Sequence, residues 1–272
     1  MSPGRSMPWA GEAVAIFPAG GAAGEMIRHL LDAEGVAHQM VAIAGFTRES
    51  LAVEERQSGK QYRFLLPGPV VGAADQERCL DLLSSAAAEA EFIVASGSLP
   101  LGVPQDFYAR VGALAKRHGK RFVLDISGAA LAQAGGGIYL LKPSEREFAE
   151  LSGREIRDER DEEKAALAVI AKGRAEIVVV SLGARGALVV DGQGGERVPA
   201  TAVAAKSTVG AGDSMLAGIV LGLGRDFSLR ETVRFGIAAG TAAFLGAGTQ
   251  LCRRDDVERL YRGPGGSAVP AR

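Results

Sequence analysis

Cysteine and histidine are scarce in this chain of 272 residues, which contains two cysteines and three histidines. Cys79 and Cys252 are far apart in the sequence, and neither belongs to a CxxC or other metal-ligand spacing. The sequence therefore excludes the common zinc sites, and it predicts reduced, buried thiols in a cytoplasmic protein. An excess of charge is also missing, since 31 basic and 32 acidic residues give a net charge of −1. This balance argues against a nucleic-acid partner.

Long hydrophobic runs are absent as well. The most apolar stretch, residues 235–248, is too short and too rich in Gly and Ala to cross a bilayer, and the N-terminus lacks the apolar core of a signal peptide. We therefore expect a soluble protein with no membrane partner. Hydrophobic residues make up 47% and charged residues 23% of the chain, which is typical of a folded globular protein.

Short apolar runs predict buried strands at residues 13–17, 92–95, 121–125, 138–141 and 177–181. They alternate with amphipathic stretches that predict helices. This alternation predicts an α/β domain over residues 11–262, with a mainly parallel sheet between two layers of helices. Residues 1–10 and 263–272 are rich in Gly, Pro and Ser and are predicted to be loose tails. Residues 38–66 alternate apolar and polar side chains without a helix, which predicts a projecting antiparallel excursion. Helices are predicted at residues 22–34, 75–88, 105–117, 145–151, 162–172, 211–222 and 228–245.

The most informative motif is TVGAGDSMLAG, residues 208–218, in which a glycine-rich turn leads directly into an apolar helix. Gly210 and Gly212 would let a ligand approach the backbone closely. The first amides of the helix, which include that of Ala211, suit an anionic phosphate. Asp213 could accept a proton from a substrate hydroxyl, or it could simply cap the helix. The spacing alone does not separate these two roles.

Two further motifs follow predicted strands. In VVVSLGARGAL, Ser181, Gly183 and Gly186 are placed to meet a nucleotide, although a turn between strands needs glycine in any case. In LLKPSEREF, Ser144 and Glu147 form a capping-box pattern; Lys142 could also reach phosphates, and Glu147 could hold hydrated Mg²⁺.

Three other features complete the candidates. Ser98 follows the strand VAS, where its hydroxyl could donate a hydrogen bond to a sugar or a phosphate. A plain turn explains the same segment nearly as well. The segment Gly20–Gly24 has GGxxG spacing, which resembles a dinucleotide fingerprint only faintly. We therefore rank a nicotinamide-dependent oxidoreductase last. No GxxxxGK[ST] motif occurs, which excludes the P-loop class.

The motifs SGSLPLGVPQDFYARV, LLKPSEREFAEL, VVVSLGARGAL and STVGAGDSMLAG, in this order, resemble the PfkB branch of the ribokinase-like sugar kinases. IFPAGGAAGE, SGKQYRFLLPG and GTQLC are similar to the 6-phosphofructokinases of that family. The resemblance implies a three-layer ribokinase-like fold with a small β lid at about residues 38–66, through which family members form homodimers. It also implies ATP and Mg²⁺ as cofactors and fructose 6-phosphate as the sugar phosphate. Tagatose 6-phosphate and fructose 1-phosphate stay open as alternatives.

The resemblance also implies roles for individual residues. Asp213 would be the catalytic base, and residues 210–212 would form the anion hole. The 6-phosphate would face Arg48 and Ser98, and Glu147 would serve Mg²⁺. The nucleotide side would consist of Lys142, Ser144, Ser181, Gly183, Gly186 and Thr208.

The sequence departs from the family pattern at two places. Ser144 stands where members usually carry Asn, in an NxxE motif linked to Mg²⁺. Family members also begin with a strand bearing a sugar-binding Asp, then lid strands and a GGxGxN segment, and the sequence before Gly11 contains none of these. We expect MSPGRSMPWA to replace a segment of roughly 30 or more residues. We therefore expect the chain as given to bind ATP weakly, to phosphorylate poorly and to self-associate. The alternative hypothesis is a truncated nucleotide-binding protein with impaired kinase activity.

Overall fold

The computed structural model describes residues 12–263 except 56, 59–60, 205–208, 247 and 249. The predicted tail at residues 1–10 and the part of the second tail after residue 263 lie outside the described residues. The chain divides into two compact units. The N-terminal unit comprises Glu12–Glu89 and Leu99–Phe107, and the C-terminal unit comprises Ala90–Ser98 and the chain from Tyr108 onward.

The N-terminal unit contains a parallel pair of strands and an antiparallel hairpin. Its elements are β1 (Val14–Ala19), α1 (Gly21–Ala33), β2 (Ala37–Ala42), β3 (Ser50–Glu54), β4 (Gln61–Leu65) and α2 (Ala73–Ala87). β1 and β2 are connected by α1 and pair in parallel, and β3 pairs antiparallel with β4. The prediction that the antiparallel excursion starts at His38 is therefore wrong for residues 38–42, which lie in β2. Alternation of apolar and polar residues identifies a strand but not its direction, and here the preceding helix returns the chain in parallel.

The C-terminal unit contains a six-stranded sheet and most of the helices. Its elements are β5 (Phe92–Ser96), α3 (Phe107–Arg117, whose first residue belongs to the other unit), β6 (Arg121–Asp125), α4 (Ala129–Gln133), β7 (Ile138–Leu141), α5 (Glu145–Ser152), α6 (Glu159–Ala171), β8 (Ala175–Ser181), β9 (Ala187–Asp191), β10 (Gly194–Val198), α7 (Ala211–Leu223), α8 (Leu229–Ala243) and α9 (Arg254–Arg262). The strand order is β10-β9-β8-β7-β6-β5. β5 to β8 are parallel, and β9 and β10 are added antiparallel.

Helices cover both faces of this sheet because its central strands are apolar on both sides. Val123, Leu140 and Val179 pack on one face against α7 and α8. On the other face Phe122 lies against Gly112 of α3, and α6 packs on β8 and β9. These layers confirm the predicted mainly parallel sheet between helices. Within the described ranges, no helix is both long and apolar enough to span a bilayer.

Candidate active site

The carboxyl ends of β6, β7 and β8 bring several of the predicted residues to one edge of the C-terminal sheet. Asp125 ends β6, Lys142 follows β7, and Ser181 ends β8. The backbone N–H of Ser181 donates to the Pro143 carbonyl oxygen at 3.0 Å, and Ser144 and Ser181 form an isolated parallel bridge. Ligands of open α/β sheets bind beyond this edge, so the described residues define a candidate site there.

A buried ion pair lies at the centre of this edge. The Lys142 Nζ atom is 2.8 Å from Asp125 Oδ2, and the two side chains are 4% and 16% exposed. Burial raises the pKa of Asp125 despite the opposing effect of Lys142, and the negative charges of Glu147 and Asp213 raise it further. Glu147 and Asp213 therefore lie close enough for their charges to act on Asp125.

Asp125 is a residue of this edge that was not predicted from the sequence. The available signal was a carboxylate at the end of the apolar strand RFVLD. Its ion pair with Lys142 connects the ends of β6 and β7. The sequence alone does not predict that these two strands are neighbours.

Ser144 and Glu147 form the predicted capping box at the start of α5, which confirms that prediction. The backbone N–H of Ser144 donates to Glu147 Oε2 at 2.8 Å, and the Ser144 hydroxyl donates to the same oxygen at 2.7 Å. The Glu147 N–H donates to Ser144 Oγ at 3.3 Å. One carboxylate oxygen of Glu147 is therefore held in place by Ser144.

Asp213 does not cap α7, so the capping alternative for this residue is wrong. The N-cap is Gly210, in the left-handed region at φ 77°, and it makes no side-chain cap. Asp213 is the third residue of the helix and is exposed. A Cβ atom added to Gly212 would lie 4.0 Å from Lys142 Nζ, so the ammonium group lies beside the start of the helix. The first amides of any helix lack a partner within it, and here they lie next to a cation.

The segment after β8 is a tight turn, with a 3₁₀ turn at Gly183–Arg185. Leu182 N–H donates to the Gly186 carbonyl oxygen at 2.8 Å, and Gly186 adopts φ 91°. A Cβ atom at position 186 would overlap the Val198 carbonyl oxygen and lie 2.7 Å from Ala200 N. The turn itself therefore requires glycine at 186, as predicted for a turn between two strands.

Ser98 also belongs to the C-terminal unit and is exposed. It follows Gly97, whose N–H donates to the Asp125 carbonyl oxygen at 3.1 Å, so Ser98 lies close to the end of β6. Thr208 lies outside the described residues.

Arg48 belongs to the N-terminal unit and is exposed. The preceding residue, Thr47, exchanges two hydrogen bonds with Gly20: its N–H donates to the Gly20 carbonyl oxygen, and its Oγ1 accepts from Gly20 N–H, both at 2.9 Å. These bonds hold the segment that carries Arg48 at the start of α1.

Mg²⁺ is compatible with the residues at the sheet edge. Among the residues that the structure describes, no group of three or more His, Cys, Asp or Glu forms a metal cage. Mg²⁺ usually needs only one or two carboxylates in addition to substrate phosphates and water. Asp125 and Glu147 supply carboxylates of that kind.

Known proteins are similar to this chain over most of its length. The family described as "pfkB family carbohydrate kinase" matches residues 7–256. The chain is 48% identical over 251 residues to "ATP-dependent 6-phosphofructokinase isozyme 2" of Mycobacterium tuberculosis, and this match covers 92% of the chain and 74% of the relative.

Two solved structures extend the comparison. Phosphofructokinase-2 from Escherichia coli in complex with fructose-6-phosphate has a TM-score of 0.84 and 39% identity, over 93% of this chain and 82% of that one. Ribokinase from Thermotoga maritima shares the fold, with a TM-score of 0.74 at 20% identity over 90% and 80% of the two chains. The match to the family over most of the sequence, together with these likenesses, shows that the chain belongs to the pfkB family of carbohydrate kinases.

Proposed function

We propose that this kinase transfers the γ-phosphoryl group of ATP to the C1 hydroxyl of fructose 6-phosphate. The observation that carries the proposal is the exposed carboxylate of Asp213 in the first turn of α7, where Lys142 lies beside the helix amides. A base next to an anion-binding helix start is what phosphoryl transfer to a hydroxyl requires. The names of the M. tuberculosis and E. coli relatives favour fructose 6-phosphate over tagatose 6-phosphate or fructose 1-phosphate as the acceptor.

In the proposed reaction, the C1 oxygen of the sugar forms a bond to the γ-phosphorus while the bond from that phosphorus to the β–γ bridging oxygen breaks. Asp213 accepts the hydroxyl proton, and ADP leaves with the electron pair of the broken bond. The amides of residues 210–213 stabilise the negative charge on the transferred group, since they are fixed before the reaction begins.

The nucleotide would lie along the ends of β7 and β8. Lys142 is the charged group for its phosphates, and Ser144, Ser181, Gly183, Gly186 and Thr208 complete this side of the proposed site. Glu147 and Asp125 would hold Mg²⁺, which when bound neutralises phosphate charge. Ser144 holds Glu147 through the capping box, so this chain keeps that carboxylate oriented without the asparagine that other members carry.

Arg48 and Ser98 are proposed to bind the 6-phosphate of the sugar. The guanidinium of Arg48 suits phosphate because it offers several donors in one plane. An enzyme that uses ATP and a sugar phosphate needs a compartment that contains both compounds. We therefore propose a cytoplasmic location.

The β3–β4 hairpin carries an apolar face that supports a homodimer. Leu51 pairs across the hairpin with Phe64, and Val53 pairs with Tyr62. All four side chains are between 47% and 58% exposed. Side chains two residues apart in a strand share a face, so these four form one continuous apolar surface. We propose that the same hairpin of a second copy covers it.

A coupled ADP-release assay with ATP, Mg²⁺ and a panel of sugar phosphates tests the proposed function. Asp213→Asn should lower kcat by about 10²–10⁴-fold while ATP binding persists, because the amide retains the size of the side chain and loses its basicity. Asp255→Asn is a matched control, since Asp255 is also an exposed acid in the first turn of a helix.

Retention of more than half of kcat by Asp213→Asn would refute the role of this residue as the base. If the unaltered chain binds ATP but turns over none of the sugar phosphates, the kinase proposal is wrong and the nucleotide-binding alternative stands.

A further inference from the structure

Glu162, in the first turn of α6, is a buried carboxylate held between two arginines. Its side chain is 6% exposed. Oε1 accepts from Arg185 Nη2 at 3.1 Å, and Oε2 accepts from Arg197 Nη2. An isolated buried charge is costly, so a carboxylate in this position depends on both partners.

One of the two arginines, Arg185, lies within the Gly183–Gly186 turn, and the other, Arg197, lies in β10. Arg185 is the last residue of the 3₁₀ turn, and its Nη2 also donates to Glu145 Oε1 at 2.8 Å. Glu145 is the first residue of α5 and directly follows the N-cap Ser144. Glu162 and Glu145 therefore tie Arg185 to the starts of two helices.

Arg197 lies in β10, one residue before Val198, whose carbonyl oxygen abuts Gly186. Its side chain also contacts Glu159, with Nε 3.2 Å from Oε2 and Nη2 donating to the backbone oxygen at 3.3 Å. Glu162 thus connects the turn, through Arg185, with the strand against which the turn packs.

Two backbone hydrogen bonds close this turn internally, from Arg185 N–H to the Leu182 carbonyl oxygen at 3.1 Å and from Gly186 N–H to the Gly183 carbonyl oxygen at 3.0 Å, and further backbone contacts hold its two ends. Ser181 is held by Pro143, and Gly186 is held by β10 and by the hydrogen bond from Leu182. The residues between them, 183–185, are exposed. Among the described contacts of these three residues, the ion pairs of Arg185 are the side-chain contacts that reach α5 and α6.

We propose that Glu162 is a positioning residue for the nucleotide, because it holds Arg185 and thereby fixes the Gly183–Gly186 turn beside the start of α5. The inference rests on the proposed function in placing ATP at this turn. Glu162 itself contacts neither substrate nor the reacting atoms in this proposal. Loss of its charge should raise KM for ATP and leave KM for fructose 6-phosphate unchanged.

Two substitutions test the proposal from opposite ends of the ion pair. Glu162→Gln keeps the shape of the side chain and removes its charge. Arg185→Leu removes one partner, whose side chain is 45% exposed, and leaves Arg197 paired with Glu162. Asp161→Asn is the matched control, since Asp161 is the neighbouring residue of α6 and pairs at 2.9 Å with Arg157, away from the turn.

Two measurements separate this inference from the proposed function. Hydrogen exchange of the amides of residues 182–186, without any ligand, reports on the turn itself. Titration with Mg²⁺ and ATP, followed by steady-state kinetics with fructose 6-phosphate, reports on the nucleotide site. We expect both variants to exchange faster in this segment and to raise Kd and KM for ATP by about tenfold, because small misplacements of an orienting group are costly.

Unchanged exchange in both variants would overturn the proposal, whether or not the unaltered chain is an active kinase. Faster exchange with unchanged ATP affinity would also overturn it, because Glu162 would then stabilise the fold alone. An equal rise in KM for both substrates, or the same effects in Asp161→Asn, would count against it as well. A chain that exchanges as expected and binds ATP, yet phosphorylates no sugar, would contradict the proposed function and leave the role of Glu162 supported.

Discussion

Replacement of Ser144 with Ala should destabilise the protein by an amount that the capping-box geometry sets. Loss of a serine N-cap costs about 0.5–2 kcal/mol. The bond from Glu147 N–H is long, at 3.3 Å, which places its share in the lower half of that range. The shorter bond from Ser144 Oγ to Glu147 Oε2, at 2.7 Å, adds a charge-assisted contribution. Glu147 keeps its bond from the Ser144 backbone, so its carboxylate is not left without a partner. We expect a total loss of about 1–2 kcal/mol, or about 2–4 °C in Tm for a chain of this size.

Ser228→Ala is the matched control, measured in the same urea and thermal denaturation series. Ser228 caps α8 by accepting from Glu231 N–H at 3.3 Å, as Ser144 accepts from Glu147. Glu231, however, pairs with Arg234. The difference between the two alanine variants therefore isolates the hydrogen bond from the Ser144 hydroxyl to Glu147 Oε2. Equal losses of stability, or a smaller loss at Ser144, would refute the reasoning from the geometry.

Three further predictions concern other residues. Arg48→Ala should raise KM for the sugar phosphate far more than KM for ATP, since a charge-assisted phosphate contact contributes about 1.5–3 kcal/mol; equal effects in steady-state kinetics would contradict this. Ser214→Ala should raise Tm, because the Ser214 hydroxyl is buried without a hydrogen-bond partner among the described residues, and such a group costs about 1–3 kcal/mol; a lower Tm would contradict it. Burial raises the pKa of Asp125, so its contribution to stability is present below the unfolded value of about 3.9 and is lost as the pH rises through the folded pKa. Asp125→Asn should remove that part of the pH dependence of unfolding, and urea titrations of both proteins from about pH 4 to pH 7 would show an unchanged profile if this is wrong.

The strands that were easiest to predict are those buried on both faces. The sequence predicts β6 and β7 with the bounds that the structure shows, Arg121–Asp125 and Ile138–Leu141. Both are short apolar runs that end where polar or proline residues begin. A strand covered by helices on both sides leaves this simple signal because both of its faces must be apolar.

Helix boundaries depend on capping contacts that a periodicity argument does not use. The sequence predicts α6 from residue 162, whereas the helix starts at Glu159 because the Asp158 side chain accepts from Asp161 N–H at 2.8 Å. α9 was not predicted, since its sequence RDDVERLYR is mostly charged. Val257 and Leu260 are the buried residues of this helix, which packs against α8, and that packing is a tertiary effect.

The candidate site was predictable where one local motif carries it. The glycine-rich turn before Asp213 and the capping box of Ser144 and Glu147 were both recognised from contiguous residues. The ion pair between Asp125 and Lys142 was not, because it depends on the pairing of β6 with β7. Pairing of strands is decided by the whole sheet, and no single motif reports it.

The strand order of the C-terminal sheet has a consequence for how the chain is made. From β5 to β10, each strand pairs with the strand synthesised just before it. Such a sheet can grow one strand at a time on the ribosome, without waiting for a distant partner. The ends of β6, β7 and β8 would then be assembled before α7 is synthesised. Asp213 would therefore join the candidate site after Asp125, Lys142 and Ser181. Until α7 and α8 dock, the apolar face that includes Val123 and Leu140 stays uncovered. This interval is the one in which a nascent chain would depend most on a chaperone.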